Sequence, residues 1–267
     1  MAKQKDFDTF LRNIEPSKTT VQYVSSVQNS LRDYLRQHKT YSNVHKETFL
    51  SGSYAKHTSI RPTKEDNKRD VDIIVVTTHS QDDDSSKVLQ ELYDVLVASS
   101  TYRSATIQHH SVGIELSQLS IDVVPVIVDK DDDSLYWIAD SEDGTWTNSD
   151  PKGHKNWSTE TNQNNNNNYK PLVKIFKWWR RKHCPGGVKY PKGITLEKLI
   201  ADNLGDSSAS TEDFLIETMQ NIVSAYKKAY VDAGINPYID DPSGKIDSND
   251  LLAGYTTDDF KGFILKL

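Results

Sequence analysis

The stretch Arg69-Asp70-Val71-Asp72-Ile73-Ile74-Val75-Val76 constrains this chain more than any other. Its apolar residues are all Val or Ile, whose branched Cβ suits a pleated sheet, and the unbroken run after Asp72 predicts a strand buried on both faces. Successive side chains on a strand alternate sides, so Asp70 and Asp72 project from the same face, and such a pair can grip a divalent metal. Upstream, Leu50-Ser51-Gly52-Ser53 reads as a strand end running into a short helix. There Gly52 lets the backbone approach a ligand, and the exposed N–H groups beside Ser53 favour an anion such as phosphate. Downstream, Asp122 sits in Leu119-Ser120-Ile121-Asp122-Val123-Val124-Pro125-Val126-Ile127, a second β-branched run able to pair beside the first. Three acids on two strands facing a phosphate seat are the apparatus of two-metal phosphoryl transfer.

The bulk properties narrow the classes. At 267 residues the chain is long enough for one large domain or two packed lobes. No apolar segment approaches the roughly 20 residues a membrane helix needs, and Met1-Ala2-Lys3-Gln4-Lys5-Asp6 lacks the apolar stretch of a signal peptide, so the cytoplasm is the expected compartment. The single cysteine, Cys184, excludes an internal disulfide and a Cys₄ or Cys₂His₂ zinc site. A net charge of −6 argues against a polyanion-binding protein. The basic charge is nevertheless concentrated. Positions 161–195 carry no Asp or Glu but hold Lys170, Lys174, Lys177, Arg180, Arg181, Lys182, Lys189 and Lys192. That is enough for a wall around a triphosphate and too little for a long nucleic-acid groove.

Periodicity predicts two helices between positions 6 and 38, divided at Pro16-Ser17 and bracing both lobes. A helix follows over 85–98, with Val88, Leu89, Leu92, Val95 and Leu96 on one side, then strands over 105–116 and 119–128, an order that marks a mixed α/β (α+β) fold. The asparagine-rich run 162–168 reads as a mobile connector, and beyond it helices are expected over 169–183, 196–204 and 211–233. The lobe boundary is placed near Thr161, giving a catalytic lobe of 1–160 and a helical lobe of 161–267. Asp129-Lys130-Asp131-Asp132-Asp133-Ser134 with Asp140 imitates a calcium loop, but Ser134 stands where that loop needs Gly and Asp140 where it needs Glu, so an acidic hairpin is expected. His109 and His110, taken as strand neighbours, should point to opposite faces and make poor joint metal ligands. Of Trp178 and Trp179, one is expected in the core.

In their order, the Gly-Ser turn, the acid-hydrophobic-acid-hydrophobic strand and the later acid within a hydrophobic strand form the signature of the nucleotidyltransferase superfold that includes DNA polymerase beta. Within it the chain resembles the CD-NTase family, bacterial relatives of cyclic GMP-AMP synthase and oligoadenylate synthase. The resemblance runs through positions 49–54, Ser59-Ile60-Arg61-Pro62, 70–76, 121–126, Asp150-Pro151-Lys152-Gly153-His154, 169–180 and Leu196-Glu197-Lys198-Leu199. Two departures stand out: a charged insert at 63–68, read as a flexible loop over the site, and Gly193-Ile194-Thr195 where relatives place a Ser and an aromatic. Relatives also continue with a further C-terminal helix, so the chain is expected to be shortened.

The resemblance implies a polymerase-beta-like lobe with a mixed sheet, a helical lobe and an active-site cleft between them. It implies two Mg²⁺ ions, replaceable by Mn²⁺, held by Asp70, Asp72 and Asp122. Gly52 and Ser53 are expected at the β- and γ-phosphates, with Lys177 as the triphosphate lysine, Lys174 one turn earlier as its reserve, and Lys192 as a possible substitute for the departed strip. The implied activity is synthesis of a cyclic di- or trinucleotide second messenger from ATP, alone or with another NTP, in anti-phage signalling. Transfer of a nucleotide to an RNA end, a protein or a small molecule remains the alternative. No membrane or long nucleic-acid partner is expected.

Overall fold

Pro16 and Ser17 split the N-terminal apolar pattern into helices α1 (Gln4–Ile14) and α2 (Lys18–Gln37), the Ser17 hydroxyl capping α2 by accepting from the Thr20 amide. The computed structural model describes residues 4–62, 69–184, 189–246 and 249–267. The charged insert 63–68 and Pro185-Gly186-Gly187 lie outside the described residues. Strand β1 (His45–Leu50) runs into a single helical turn, α3 (Gly52–Ala55), and then come β2 (Arg69–Thr77) and α4 (Ser85–Val97). Strands β3 (Thr106–Ile107), β4 (Val112–Glu115), β5 (Leu119–Val128), β6 (Tyr136–Ala139) and β7 (Trp146–Ser149) follow. The remaining elements are helical: α5 (Pro151–Asn164), α6 (Tyr169–His183), α7 (Gly193–Ala201), α8 (Thr211–Tyr226) with a π-helical turn Lys227–Val231, and α9 (Thr257–Ile264).

The chain divides into two compact units. One contains Pro16–Lys56 and Arg61–Gly153 and holds, among the described residues, a seven-stranded sheet in which β1-β2-β5-β4-β3 lie in that order while β6 pairs with β5 and β7 with β6. Strand β5 is its axis. It pairs parallel with β2 on one side and, on the other, antiparallel with β4 along its first half and with β6 along its second. Val71, Ile73 and Val75 of β2 and Ile121 and Val123 of β5 pack with Leu89, Leu92 and Leu96 of α4 and Leu31 and Leu35 of α2, all fully or nearly fully buried. Each such side chain contributes about 1.5–3 kcal/mol relative to exposure. On the opposite face Ile74, Val76, Val126 and Tyr136 form a smaller cluster, which is why the run carries no polar alternation.

The second unit comprises Met1–Glu15, His57–Ile60 and His154–Leu267. Its core gathers Tyr169, Leu172, Val173 and Phe176 of α6 with Leu196, Leu199 and Ile200 of α7, Phe214 and Ile222 of α8, and Phe260, Phe263 and Ile264 of α9. Helix α1 belongs here, through Gln4 on Thr211 and the Phe10 ring edge-on to Trp178, whereas α2 belongs to the sheet unit. Trp178 meets Phe10, and Trp179 packs on Phe263 and His183.

The asparagine run corrects one expectation. It is an ordered turn rather than a mobile connector: α5 continues to Asn164, Asn166 and Asn167 take the left-handed conformation that asparagine tolerates, and Asn162 accepts from the Lys170 amide. Helix α5 itself was not foreseen, since it carries Gly153 and runs into the asparagine-rich stretch. The buried Asp150 accepts from the Gly153 amide at 2.6 Å, a cap in which any side chain at 153 would collide with the carboxylate.

The acidic segment is a hairpin joining β5 to β6. Asp129 accepts from the Asp131 and Asp132 amides and from the Trp137 indole, and Asp132 accepts from the Ser134 amide, so these oxygens are spent on the turn itself. Calorimetry should therefore show no micromolar Ca²⁺ site in this loop. A stoichiometric heat that disappears in Asp131→Asn would contradict the hairpin reading.

Candidate active site

Strands β2 and β5 pair in a register that sets Asp72 directly opposite Asp122 and Asp70 opposite Ser120. Neighbouring strands lie about 4.8 Å apart, so the Asp72 and Asp122 side chains rise together on one face, with Asp70 two residues along on that same face and exposed. All three sequence-predicted acids thus share one surface of one unit. Gly52 and Ser53 belong there too. The Ser51 amide donates to the Asp72 carbonyl at 2.9 Å, pinning the strand-to-helix turn beside the acids. Gly52 has φ +58°, and a methyl group on it would overlap the Asp72 carboxylate. Glycine is therefore required twice, for the left-handed backbone and for the close approach.

Burial raises the Asp72 carboxyl above its ordinary range, and the charges of Asp122 and Asp70 push the same way, against an opposing pull from the buried Lys56. Asp122 is raised too, by burial first and then by Asp70 and Glu115, while a hydrogen bond from the Gln108 side chain works against the rise. Carboxylates this close resist ionising together. A divalent cation relieves the repulsion, and an all-carboxylate donor set on a side-chain-free glycine turn fits a hard, oxygen-seeking ion.

Lys56 and Gln108 went unnoticed in the sequence. Gln108 reaches Asp122 because Gly113, the residue opposite Asp122 on β4, leaves space that a side chain would deny to the Gln108 amide. Only the strand register reveals that, since a lone Gln carries no local signal.

The predicted lysines all lie in the helical unit, in differing situations. Lys177 Nζ lies 2.6 Å from Glu197 Oε1, 2.9 Å from Thr58 Oγ1 and 3.2 Å from the Thr58 carbonyl, and Thr58 also donates to Glu197. Glu197 is fully buried. Lys174 pairs with Glu15 at 2.7 Å, and Lys192 is an exposed residue at the N-cap of α7. Lys174 also belongs to a crowded group of basic residues. Burial lowers His57, with Lys170, Lys174 and Lys155 adding to the effect, and Lys170 is lowered by burial and then by Lys174 and Lys155.

His109 and His110 require a correction. They occupy a turn between β3 and β4, not a strand, so they do not point apart. Their rings stack with centroids 3.9 Å apart, beside Asp140.

Residues 1–162 match the family model for the second messenger oligonucleotide or dinucleotide synthetase (SMODS) domain. Over 270 aligned residues the chain is 38% identical to the cyclic AMP-AMP-AMP synthase of an Acinetobacter species, covering 100% of this chain and 77% of that protein. The chain belongs to the SMODS-containing CD-NTase family. A cyclic AMP-AMP-GMP synthase of Enterobacter hormaechei is 25% identical, with 98% of this chain and 83% of that protein covered. Among solved structures, Bradyrhizobium diazoefficiens CdnG in complex with GTP superposes with a TM-score of 0.80 at 10% identity over 97% of this chain and 87% of that one. Escherichia coli CdnC with ATP gives a TM-score of 0.72 at 21% identity over 98% and 88%. Both likenesses concern the fold, which is that of the CD-NTases. As a member of the family the chain is a nucleotidyltransferase that makes cyclic oligonucleotide second messengers, with a divalent metal in its chemistry.

Two stability measurements follow from this CD-NTase geometry. A carboxyl raised in the folded state stabilises the fold at low pH and costs stability as pH rises through its folded value. In chelator, Asp72→Asn should therefore raise the thermal midpoint at neutral pH, and the advantage should shrink as pH falls toward the ordinary carboxylate value of 3.8. An unchanged midpoint at every pH would contradict the raised carboxyl. Lys177→Ala leaves Glu197 charged and buried, a loss of about 3–5 kcal/mol by urea unfolding, which Lys177→Met/Glu197→Met should partly restore. A single variant with wild-type stability would show that the pair does not hold α6 to α7.

Proposed function

We propose that this CD-NTase uses ATP to build an adenine-containing cyclic trinucleotide, and that Asp70, Asp72 and Asp122 carry the chemistry. The observation that supports the catalytic part is the in-register Asp72–Asp122 pair with Gly52 packed on it. The product reading is supported by the two curated relatives above, whose names describe rings with at least two AMP units.

The three acids would hold two Mg²⁺ ions, with Mn²⁺ able to substitute. When bound, the ions supply the positive charge that makes the attacking hydroxyl more acidic and neutralises the leaving pyrophosphate. Asp122 stands ready to accept the hydroxyl proton, and Gln108 fixes the orientation of that carboxylate. Gly52 admits the donor's phosphate chain against the backbone, and Ser53 donates to its β- and γ-phosphate oxygens. Within the helical unit, Lys174 with Lys170 and Lys155 offers concentrated positive charge for an anionic nucleotide, and Lys192 is exposed for the same use. Lys177 enters as the partner of Glu197 and Thr58, with its ammonium protons turned to them. A second nucleotide bound with its 2′- or 3′-hydroxyl near the donor's α-phosphate gains effective concentration, and the linear product, turned round, closes at the same three acids. The anti-phage setting and a cytoplasmic location belong to this reading. Among the described residues no helix is long and apolar enough to cross a membrane.

Purified protein incubated with the four NTPs and Mg²⁺ should yield a phosphatase-resistant cyclic product containing adenine, identified by mass spectrometry. Asn at any one of positions 70, 72 or 122 should lower turnover at least about 10²-fold. Extension of an RNA primer with steep salt dependence and no cyclic product would favour the alternative acceptor instead.

A further inference from the structure

Apart from the acids on β2 and β5, the sheet unit gathers a second set of donor groups. Between β3 and β4 the chain turns through residues 108–111, closed by the Gln108 amide on the Ser111 carbonyl at 2.8 Å and by the Ser111 hydroxyl on the Gln108 side chain at 2.7 Å. Strand alternation is suspended in that turn, so the consecutive imidazoles of His109 and His110 stand on the same side, 21° from parallel. The end of β6 is bound to this turn by the Ser141 amide, which donates to the His109 carbonyl at 2.9 Å. That contact brings in Asp140, whose Oδ2 lies 2.9 Å from His109 Nε2 and 3.8 Å from His110 Nδ1. Glu142 Oε2 lies 3.8 Å from His109 Nε2.

We propose that His109, His110 and Asp140 form a binding site for a divalent transition-metal ion of the zinc type, with Glu142 available as a fourth ligand. Three observations support it. First, one donor atom from each of the three residues falls within a sphere of mutual distances no greater than 4.8 Å. Ligands about 2.0–2.1 Å from a tetrahedral ion stand about 3.3–3.4 Å from one another, so the 2.9 and 3.8 Å separations bracket what the ion needs. Second, Asp140 is held rigidly. It is buried, its amide donates to the Ser85 hydroxyl, and its Oδ1 accepts from the Glu142 amide, which leaves Oδ2 facing the two rings. Third, access is open, because the His109 and His110 side chains are 50% and 42% exposed.

The donor set selects the ion. Two imidazoles and a carboxylate suit Zn²⁺, Co²⁺ or Ni²⁺, whereas Mg²⁺ prefers an all-oxygen shell such as the one on β2 and β5. To serve as a ligand, His110 must carry its proton on Nε2 and release the Ala139 carbonyl, which its Nδ1 now meets at 3.1 Å. Once bound, the ion would join the 108–111 turn to the end of β6.

The test uses the full chain in saturating Mg²⁺, which occupies the acidic site, with Zn²⁺ titrated by calorimetry and Co²⁺ followed by its visible absorption. One equivalent of Zn²⁺ should bind and displace the Co²⁺ band. His109→Ala and His110→Ala should each weaken binding at least about tenfold, and the double variant should abolish both signals while its circular dichroism stays that of the native chain. Absence of Zn²⁺ binding to the unaltered chain, or an undiminished equivalent in the folded double variant, overturns the proposal.

Discussion

The parallel pairing of β2 with β5 is the contact on which the proposed catalytic arrangement rests. Its register puts Asp72 opposite Asp122, and because side chains alternate along strands, a slip of one residue would turn one of those carboxylates into the opposite face. What fixes the register is apolar. Val71, Ile73 and Val75 must face α2 and α4 while Ile74 and Val76 face Tyr136 and Val126, so both faces of the strand are committed and no shifted pairing buries them as well. The hydrophobic effect thus holds together carboxylates that would otherwise repel, and a divalent ion bound there, as proposed, would complete the charge balance.

A different balance is struck in the helical unit. There a fully buried carboxylate, Glu197, is matched by the Lys177 ammonium and the Thr58 hydroxyl, tying α6, α7 and the segment His57–Ile60 into one network. A buried pair of this kind contributes little net stability compared with apolar residues of the same shape, but losing either member is costly. It is therefore better at specifying one arrangement of the helices than at stabilising it. In the proposed reading an anionic ligand meets instead the crowded cations Lys170, Lys174 and Lys155, whose mutual repulsion an added negative charge would relieve.

Much of this was legible locally. Branched residues marked β2 and β5, the spacing of Val88, Leu89, Leu92, Val95 and Leu96 marked α4, and Pro16-Ser17 marked the break between α1 and α2. That the three acids share one face was legible because their setting is a strand, where direction follows from parity alone. What escaped depends on distant partners or on atypical composition. The contact of Gln108 with Asp122 needs the register of β4, and that of Lys177 with Thr58 spans 119 positions. Helix α5 carries Gly153 and ends in asparagines, so its propensities argue against it, and its support comes from the Asp150 cap and from Trp157 packed on the core of the helical unit. The histidine pair was misjudged because a strand was extended across a turn whose closing hydrogen bonds depend on Gln108 and Ser111.

The central claim is that one face of the β2–β5 pair is the catalytic metal site of this CD-NTase. Anomalous diffraction from crystals grown with Mn²⁺ and a non-hydrolysable ATP analogue tests it most directly. The account predicts manganese peaks flanked by the Asp70, Asp72 and Asp122 carboxylates, with the triphosphate lying along the Gly52-Ser53 turn. Manganese bound elsewhere on the chain, with those three carboxylates free of it and the nucleotide distant from Gly52, would contradict the account.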